Sequence, residues 1–291
     1  MAERAALLRA RSVTRCFGAF VAVDDVSMHV EAGEVVGLLG ANGAGKTTLI
    51  RMLLGLIPTS GGDVEMLGGT PDRRRRKRLG YVPQGLGLYP ELTARENLAF
   101  SAQAYGSSPH LPSTLAPYAD RLVRELSLGV QRELAFVAAL AHSPEVLVLD
   151  EPTSGVDALA RAALWDTVRA QADAGVGVLV TTHYMREAAQ CDRLLLMSRA
   201  RLVAAGQESD IIGSTTALAV RTEDWAAAFA ALDGAGMPVM LSGRDVRVVD
   251  GDLVAVSRVL AAAGLVADLR AVPATIEERM LVLARSGSEG E

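Results

Sequence analysis

The 291-residue sequence is poor in several features that would define its class. It has two cysteines, Cys16 and Cys191, far apart and without metal-ligand spacing. A zinc-ribbon or disulfide framework is therefore excluded, and a reducing compartment is expected. Long apolar runs are also missing. The longest stretch without a formal charge, from Asn97 to Ala119, contains three prolines, six Ser/Thr/Gln residues and a histidine. A membrane span needs about 20 consecutive apolar residues, so none is expected here. Arg4, Arg9, Arg11 and Arg15 interrupt every apolar run near the start, so no cleavable leader is expected either. Lysine is the scarcest charged residue: of 29 basic residues only Lys46 and Lys77 are lysines. Arginine has replaced lysine almost everywhere, as in a GC-rich coding sequence, so a retained lysine points to a need for lysine itself. The net charge of -5 gives no overall basic surface for nucleic acid, and no nucleic-acid partner is expected.

What is present is an alternation of strand and helix over the first 205 residues. Continuous apolar runs at Val35–Gly40, Leu79–Val82, Val146–Asp150, Val178–Thr182 and Leu194–Met197 read as buried strands, with a helix from Lys46 to Leu56 after the first. Strands of this kind, separated by helices, predict a mostly parallel sheet covered on both faces. Thr93 and Glu96 form a capping box that opens a helix through Ala104, whereas Gly106 to Pro117 is too rich in Pro and Ser for regular structure. After Gly206 the order becomes strand (Leu218–Arg221), helix (Trp225–Leu232), strands (Pro238–Leu241 and Val246–Val249), helix (Leu253–Ala263), strand and a final helix after a Thr275/Glu278 capping box. The reading is an α/β domain over 1–205, with a helical insert at about 85–143, followed by a small α+β domain over 206–291 whose last residues, Ser286–Glu291, form a frayed tail.

The strongest chemical signal is GANGAGKTT, Gly40 to Thr48, between a buried strand and a helix. It satisfies G-x-x-x-x-G-K-[ST]. Its glycines let backbone N–H groups and a helix N-terminus face phosphate oxygens closely. Gly40, Asn42, Gly43, Ala44, Gly45, Lys46, Thr47 and Thr48 form the candidate phosphate-binding set. Lys46 is expected to reach the β- and γ-phosphates and the Thr47 hydroxyl to coordinate Mg²⁺. The second signal is Val146-Leu-Val-Leu-Asp150-Glu151-Pro152, a buried strand ending in two carboxylates. A strand end at the carboxyl edge of such a sheet faces the ligand crevice. Asp150 is expected to hold Mg²⁺ through water, and Glu151 to polarise the attacking water as general base. The N-K-x-D or T-K-x-D that reads guanine is absent.

With these motifs in order, residues 11 to about 205 resemble the ATP-binding-cassette family. Gln84 in YVPQ stands where that family has its Q-loop glutamine. LSLGVQRE, Leu126 to Glu133, is similar to the signature LSGGQ, with Ser127 and Gly129 kept and Leu128 replacing a glycine; Val130 and Glu133 also depart from the pattern. SGVD, Ser154 to Asp157, resembles the D-loop, and His183 after two threonines matches the switch histidine. The resemblance implies that Gln84 and His183 sense the γ-phosphate, with Gln84 a further Mg²⁺ ligand. It also implies that Phe17 stacks on adenine, and that Ser127, Gly129 and Asp157 meet the nucleotide of a second subunit. The fold implied is a P-loop core with a small antiparallel β element and an abbreviated helical insert. The function implied is ATP hydrolysis coupled to transport through a separate transmembrane permease, at the cytoplasmic face of the membrane. The cofactors are ATP and Mg²⁺, and the other partner is a second copy of the chain or a paralogous ATP-binding subunit. The end of the chain, PATIEERMLVLA, looks like the tail of exporters of drugs, antibiotics or lipid-like substrates. A non-transport or purely regulatory cassette is the alternative. Arg73 to Arg78 reads as a solvated helix, with anionic headgroups as its second reading.

Overall fold

The computed structural model describes residues 6–182 and 184–286 and divides the chain into two units, Met1–Ala205 and Gly206–Glu291. The first begins with β1 (Ala6–Phe17) and β2 (Phe20–Glu31), then β3 (Val35–Leu39), α1 (Lys46–Leu53), β4 (Gly61–Met66), α2 (Arg73–Arg76), β5 (Leu79–Val82) and α3 (Ala94–Tyr105). It continues through α4 (Leu128–Leu140), β6 (Val146–Asp150), α5 (Ala158–Asp173), β7 (Gly177–Thr182), β8 (Arg193–Ser198) and β9 (Arg201–Gly206).

Six of these strands form one sheet in the order β5-β6-β7-β3-β8-β9, with the first five pairing in parallel. Alternate side chains of each central strand enter opposite cores. Val36, Leu38 and Val148 pack with α1 and the antiparallel sheet, whereas Val35, Leu147 and Leu149 pack with α4 and α5. Both faces are thus apolar, which is why these strands read as unbroken hydrophobic runs. β7 lies between β6 and β3, so the carboxyl ends of all three meet at one edge, where ligands bind in open α/β sheets. The small antiparallel sheet is β2-β1-β4. Register shifts at Ala10/Val13 and beyond break the period of two in β1.

Local signals account for most element ends. Thr93 accepts from the Glu96 N–H while the Glu96 carboxylate accepts from the Thr93 N–H and hydroxyl, and the bonds it accepts hold Glu96 below the usual carboxylate range. Gly106 closes α3 in the left-handed conformation. Helix α1 stops at Leu53, three residues before the expected Leu56, because Gly55 turns left-handed (φ 63°) against Pro71. Arg73–Arg76 is a short exposed helix capped by Asp72, whose side chain accepts from the Arg75 N–H. Between α3 and α4 lie only two 3₁₀ turns, Ala116–Tyr118 and Val123–Glu125. Burial pushes the Cys191 thiol up to about 12, so this cysteine is an inert packing residue beside Gly37.

The second unit runs α6 (Glu208–Ile212), β10 (Thr216–Arg221), α7 (Trp225–Gly234), β11 (Val239–Ser242), β12 (Asp245–Val249), α8 (Leu253–Ala262), β13 (Asp268–Pro273) and α9 (Ile276–Ser286). Its sheet order is β11-β12-β10-β13, all antiparallel. From β10 to β13 this is the β-α-β-β-α-β ferredoxin-like arrangement. The core is Leu218, Val220, Leu232, Val246, Val248, Val256 and Leu260 with their neighbours. Helix α6 escapes sequence inspection because Gln207 and Asp210, rather than Ser/Thr and Glu, form its capping box. Of the expected frayed tail, Ser286 ends α9, and 287–291 lie outside the described residues.

One buried ion pair anchors this unit. Glu278 is 0% exposed, accepts from the Thr275 N–H at 2.7 Å and pairs with the Arg247 guanidinium. Glu278→Ala removes the carboxylate bonded to that guanidinium, leaving Asp245 and Glu277 to act on it, and is expected to destabilise the unit by about 3 kcal/mol, the low end for breaking a buried pair. The check is a lower urea midpoint in Trp225 fluorescence, read in a Trp165→Phe background so that only this unit reports.

Candidate nucleotide site

The phosphate loop is the chain between the carboxyl end of β3 and the amino end of α1. Gly45 caps α1 at φ 103°, and a Cβ there would lie 2.3 Å from the Ala22 carbonyl oxygen, so only glycine fits. Gly43 is also left-handed, at φ 82°. Together these turns bring the first amides of α1 to the mouth of a cleft of about 330 Å³. Its lining is Phe20, Ala22, the loop from Asn42 to Thr48, Gln84 and Glu151.

The charged groups in this cleft are held by neighbouring carbonyls, hydroxyls and an amide. Lys46 is 5% exposed, and its amine donates to the Gly40 and Ala41 carbonyls at 2.7 and 3.2 Å. Burial pushes that amine below the ordinary lysine range, against the opposing pull of Glu151 and then Asp150. At the end of β6, Asp150 accepts from the Thr47 hydroxyl at 3.0 Å and from the Thr181 hydroxyl at 2.7 Å. The Thr181 oxygen in turn accepts from the Glu151 N–H at 2.8 Å. Gln84 donates its amide N–H to the Glu151 carboxylate at 3.3 Å. Residues from the loops and strand ends of β3, β5, β6 and β7 thus form one polar chain, which the parallel order of the sheet assembles.

The donors fit Mg²⁺. The Thr47 hydroxyl, the Asp150 carboxylate and the Gln84 amide are hard oxygen-bearing groups. Among the described residues no cluster of three or more His, Cys, Asp and Glu competes for a softer metal. Mg²⁺ takes one or two protein carboxylates or hydroxyls and fills its remaining positions with water and phosphate oxygens.

The signature residues stand elsewhere. Ser127 caps α4 without a side-chain hydrogen bond, Gly129 lies in its first turn, and Asp157 caps α5 by accepting from the Ala160 N–H at 2.9 Å. All three line a separate cleft of about 450 Å³ between α4 and α5. Within one chain they are not brought to the phosphate loop. Phe17 also lies outside the phosphate cleft. The β1–β2 hairpin pairs it with Phe20, which is in the lining, while Arg15 covers one face of the Phe17 ring at 4.5 Å. His183 lies outside the described residues.

Three participants have no local signal in the sequence. Thr181 is a strand residue whose role depends on the β6–β7 register, Asp150↔Thr181. Glu187 is buried and accepts from Thr153 and Thr182 hydroxyls, both at 2.6 Å, with Arg161 at 3.4 Å. Arg132, a mid-helix arginine, reaches the turn after β6.

Fold and site together define a P-loop nucleoside triphosphatase cassette. The profile of the ABC transporter family matches residues 23–154. A relative from Burkholderia lata, "Nod factor export ATP-binding protein I", is 41% identical over 218 residues, covering 70% of this chain and 72% of that protein. The Escherichia coli K12 protein named "Probable multidrug ABC transporter ATP-binding protein YbhF" is 38% identical over 218 residues. That alignment covers 70% of this chain, but the chain spans only 38% of the length of that relative. Among solved structures, an ATP-binding subunit of an ABC transporter superposes with a TM-score of 0.66 at 30% identity, covering 71% of this chain and 92% of that one. The chain belongs to the ABC transporter family, as one of its ATP-binding cassettes.

Proposed function

We propose that the chain is the ATP-hydrolysing subunit of an exporter, working with a transmembrane permease and a second ATP-binding subunit, either its own copy or a paralogue. The observation that carries this reading is the polar chain Thr47–Asp150–Thr181–Glu151–Gln84 at the mouth of the phosphate loop. In it, Lys46 exchanges the Gly40 and Ala41 carbonyls for the β- and γ-phosphate oxygens. Thr47, Asp150 and Gln84 hold Mg²⁺, which neutralises charge on the phosphates when bound. Glu151 takes the proton from the attacking water, and the Gln84 and Thr181 bonds orient it for that task. His183 follows Thr182 in sequence and contacts the γ-phosphate. The aromatic tip of the β1–β2 hairpin, Phe17 paired with the cleft-lining Phe20, is the adenine platform.

Export as the direction rests on the names of the relatives, one multidrug and one Nod factor. Among the described residues no helix is long and apolar enough to cross a membrane, so the passage is supplied from outside them. The permease seats beside the Gln84 loop, in the groove of about 260 Å³ that holds Tyr89, Phe100 and Tyr105 between α3 and α4. The transporter relatives support a position at the cytoplasmic face of the membrane.

The separation of Ser127, Gly129 and Asp157 from the phosphate cleft supports a site completed by two subunits. Ser127→Arg tests this. It leaves the chain's own phosphate loop intact, so ATP binding to the monomer is expected to stay within about twofold. Phosphate release is expected to fall by roughly 10²-fold, the scale of losing one donor to developing charge. Full ATPase activity in that variant would remove the signature role and the shared site with it.

A further inference from the structure

Arg132 is a cation buried without a carboxylate to receive its hydrogen bonds. It is 5% exposed, yet its Nη1 donates to the Glu151 carbonyl at 3.0 Å and its Nη2 to the Ser154 carbonyl. Its Nε is buried with no partner among the described residues, so the environment is not simply a comfortable one for a guanidinium. What those two carbonyls share is the turn that follows β6. Glu151 sits there at φ 52°, in the left-handed region that side chains with a Cβ avoid. Such a conformation persists only where neighbours hold it. Two side chains do so from opposite sides: Thr181 binds the Glu151 N–H and Arg132 binds its carbonyl.

The same helix face makes a second contact one turn earlier. A Cβ on Gly155 (φ 77°) would lie 2.9 Å from the Leu128 side chain, so Leu128 rests directly on that glycine. Leu128 and Arg132 are four residues apart in α4 and project together. The helix that starts after Ser127 is therefore fastened to the turn from 151 to 155 at two points.

We infer that Arg132 is a positioning residue for hydrolysis, fixing the left-handed backbone that aims the Glu151 carboxylate and, with Leu128, joining that turn to the signature helix. Contact of a second subunit's nucleotide with Ser127 is thereby transmitted through α4 to Glu151. The inference rests on the reading of Glu151 as general base.

The test uses the full chain with ATP and Mg²⁺, comparing Arg132→Met, Arg132→Lys, Glu151→Gln and the Arg132→Met/Glu151→Gln double variant. Arg132→Met is expected to lower kcat by about 10- to 100-fold, with KM and metal-free ATP affinity within about twofold. Arg132→Lys, which keeps the charge and reaches one carbonyl, is expected to recover part of the loss. In the Glu151→Gln background Arg132→Met is expected to change residual turnover by less than about twofold, because it acts through the group already removed. A wild-type kcat in Arg132→Met, a loss that multiplies fully onto Glu151→Gln, or a loss confined to ATP affinity overturns the inference. If Arg132→Met gives no folded chain, Arg132→Lys decides: at least a threefold loss in kcat at unchanged KM supports the inference, and its absence ends it. A Glu151→Gln variant that hydrolyses normally overturns the general-base reading itself, whereas an inactive Glu151→Gln beside a normal Arg132→Met removes only the role of Arg132.

Discussion

Glu151→Gln is expected to bind ATP close to normally and to hydrolyse it about 10²- to 10⁴-fold more slowly, the usual contribution of a positioned general base. The two side chains have the same shape. The amide oxygen of glutamine still accepts the bond that Gln84 now donates to the carboxylate. The Glu151 N–H bond to Thr181 and the carbonyl bond to Arg132 are main-chain interactions that the substitution does not touch. Only the proton acceptor is lost. Because product formation stops after binding, size-exclusion chromatography with ATP and Mg²⁺ is expected to show an accumulated dimer. A variant that stays monomeric and turns over at the normal rate would contradict both the base and the two-subunit site.

The second large effect is at the phosphate loop. Lys46→Ala is expected to weaken ATP binding by about 2–5 kcal/mol, roughly 30- to 5,000-fold in affinity, as for truncating one member of a buried, hydrogen-bonded charge pair. The loss has two parts. The amine that leaves the Gly40 and Ala41 carbonyls to neutralise phosphate disappears. Asp150 and Glu151 then face the cleft with one less counter-charge, since both pull on the Lys46 amine. Isothermal titration with ATP, alone and with Mg²⁺, measures the effect. An affinity within threefold of the wild type would mean that the loop amides alone hold the phosphates.

How much of this is legible in the sequence depends on whether the determinant is local. The strands β3, β5, β6, β7 and β8 are legible because both faces of the sheet are buried, so the sequence carries apolar runs with few competing explanations. The neighbours Asn42–Thr48, Gln84 and Glu151 are legible because glycine conformations and strand ends impose their spacing. Arg132 is not. It lies between Gln131 and Glu133 on a helix, where a charge ordinarily faces solvent, and only the packing of α4 against the turn after β6 sends it inward. Thr181 needs the register of two strands 31 residues apart. The β1 strand hides behind its bulges.

The sheet order also fixes when the phosphate loop acquires its support during synthesis. β3 is flanked by β7 and β8, neither of which exists when β3 leaves the ribosome. The Glu34–Arg193 ion pair, which joins the start of β3 to the start of β8, spans 159 residues. At roughly 5–20 residues per second, that is a wait of roughly 8–30 s before the apolar strand is paired on both edges. Long-range parallel pairing of this kind is slow and exposes strand edges to aggregation. The nascent chain is therefore most dependent on chaperones between the emergence of β3 and that of β8, well before the second unit has been made.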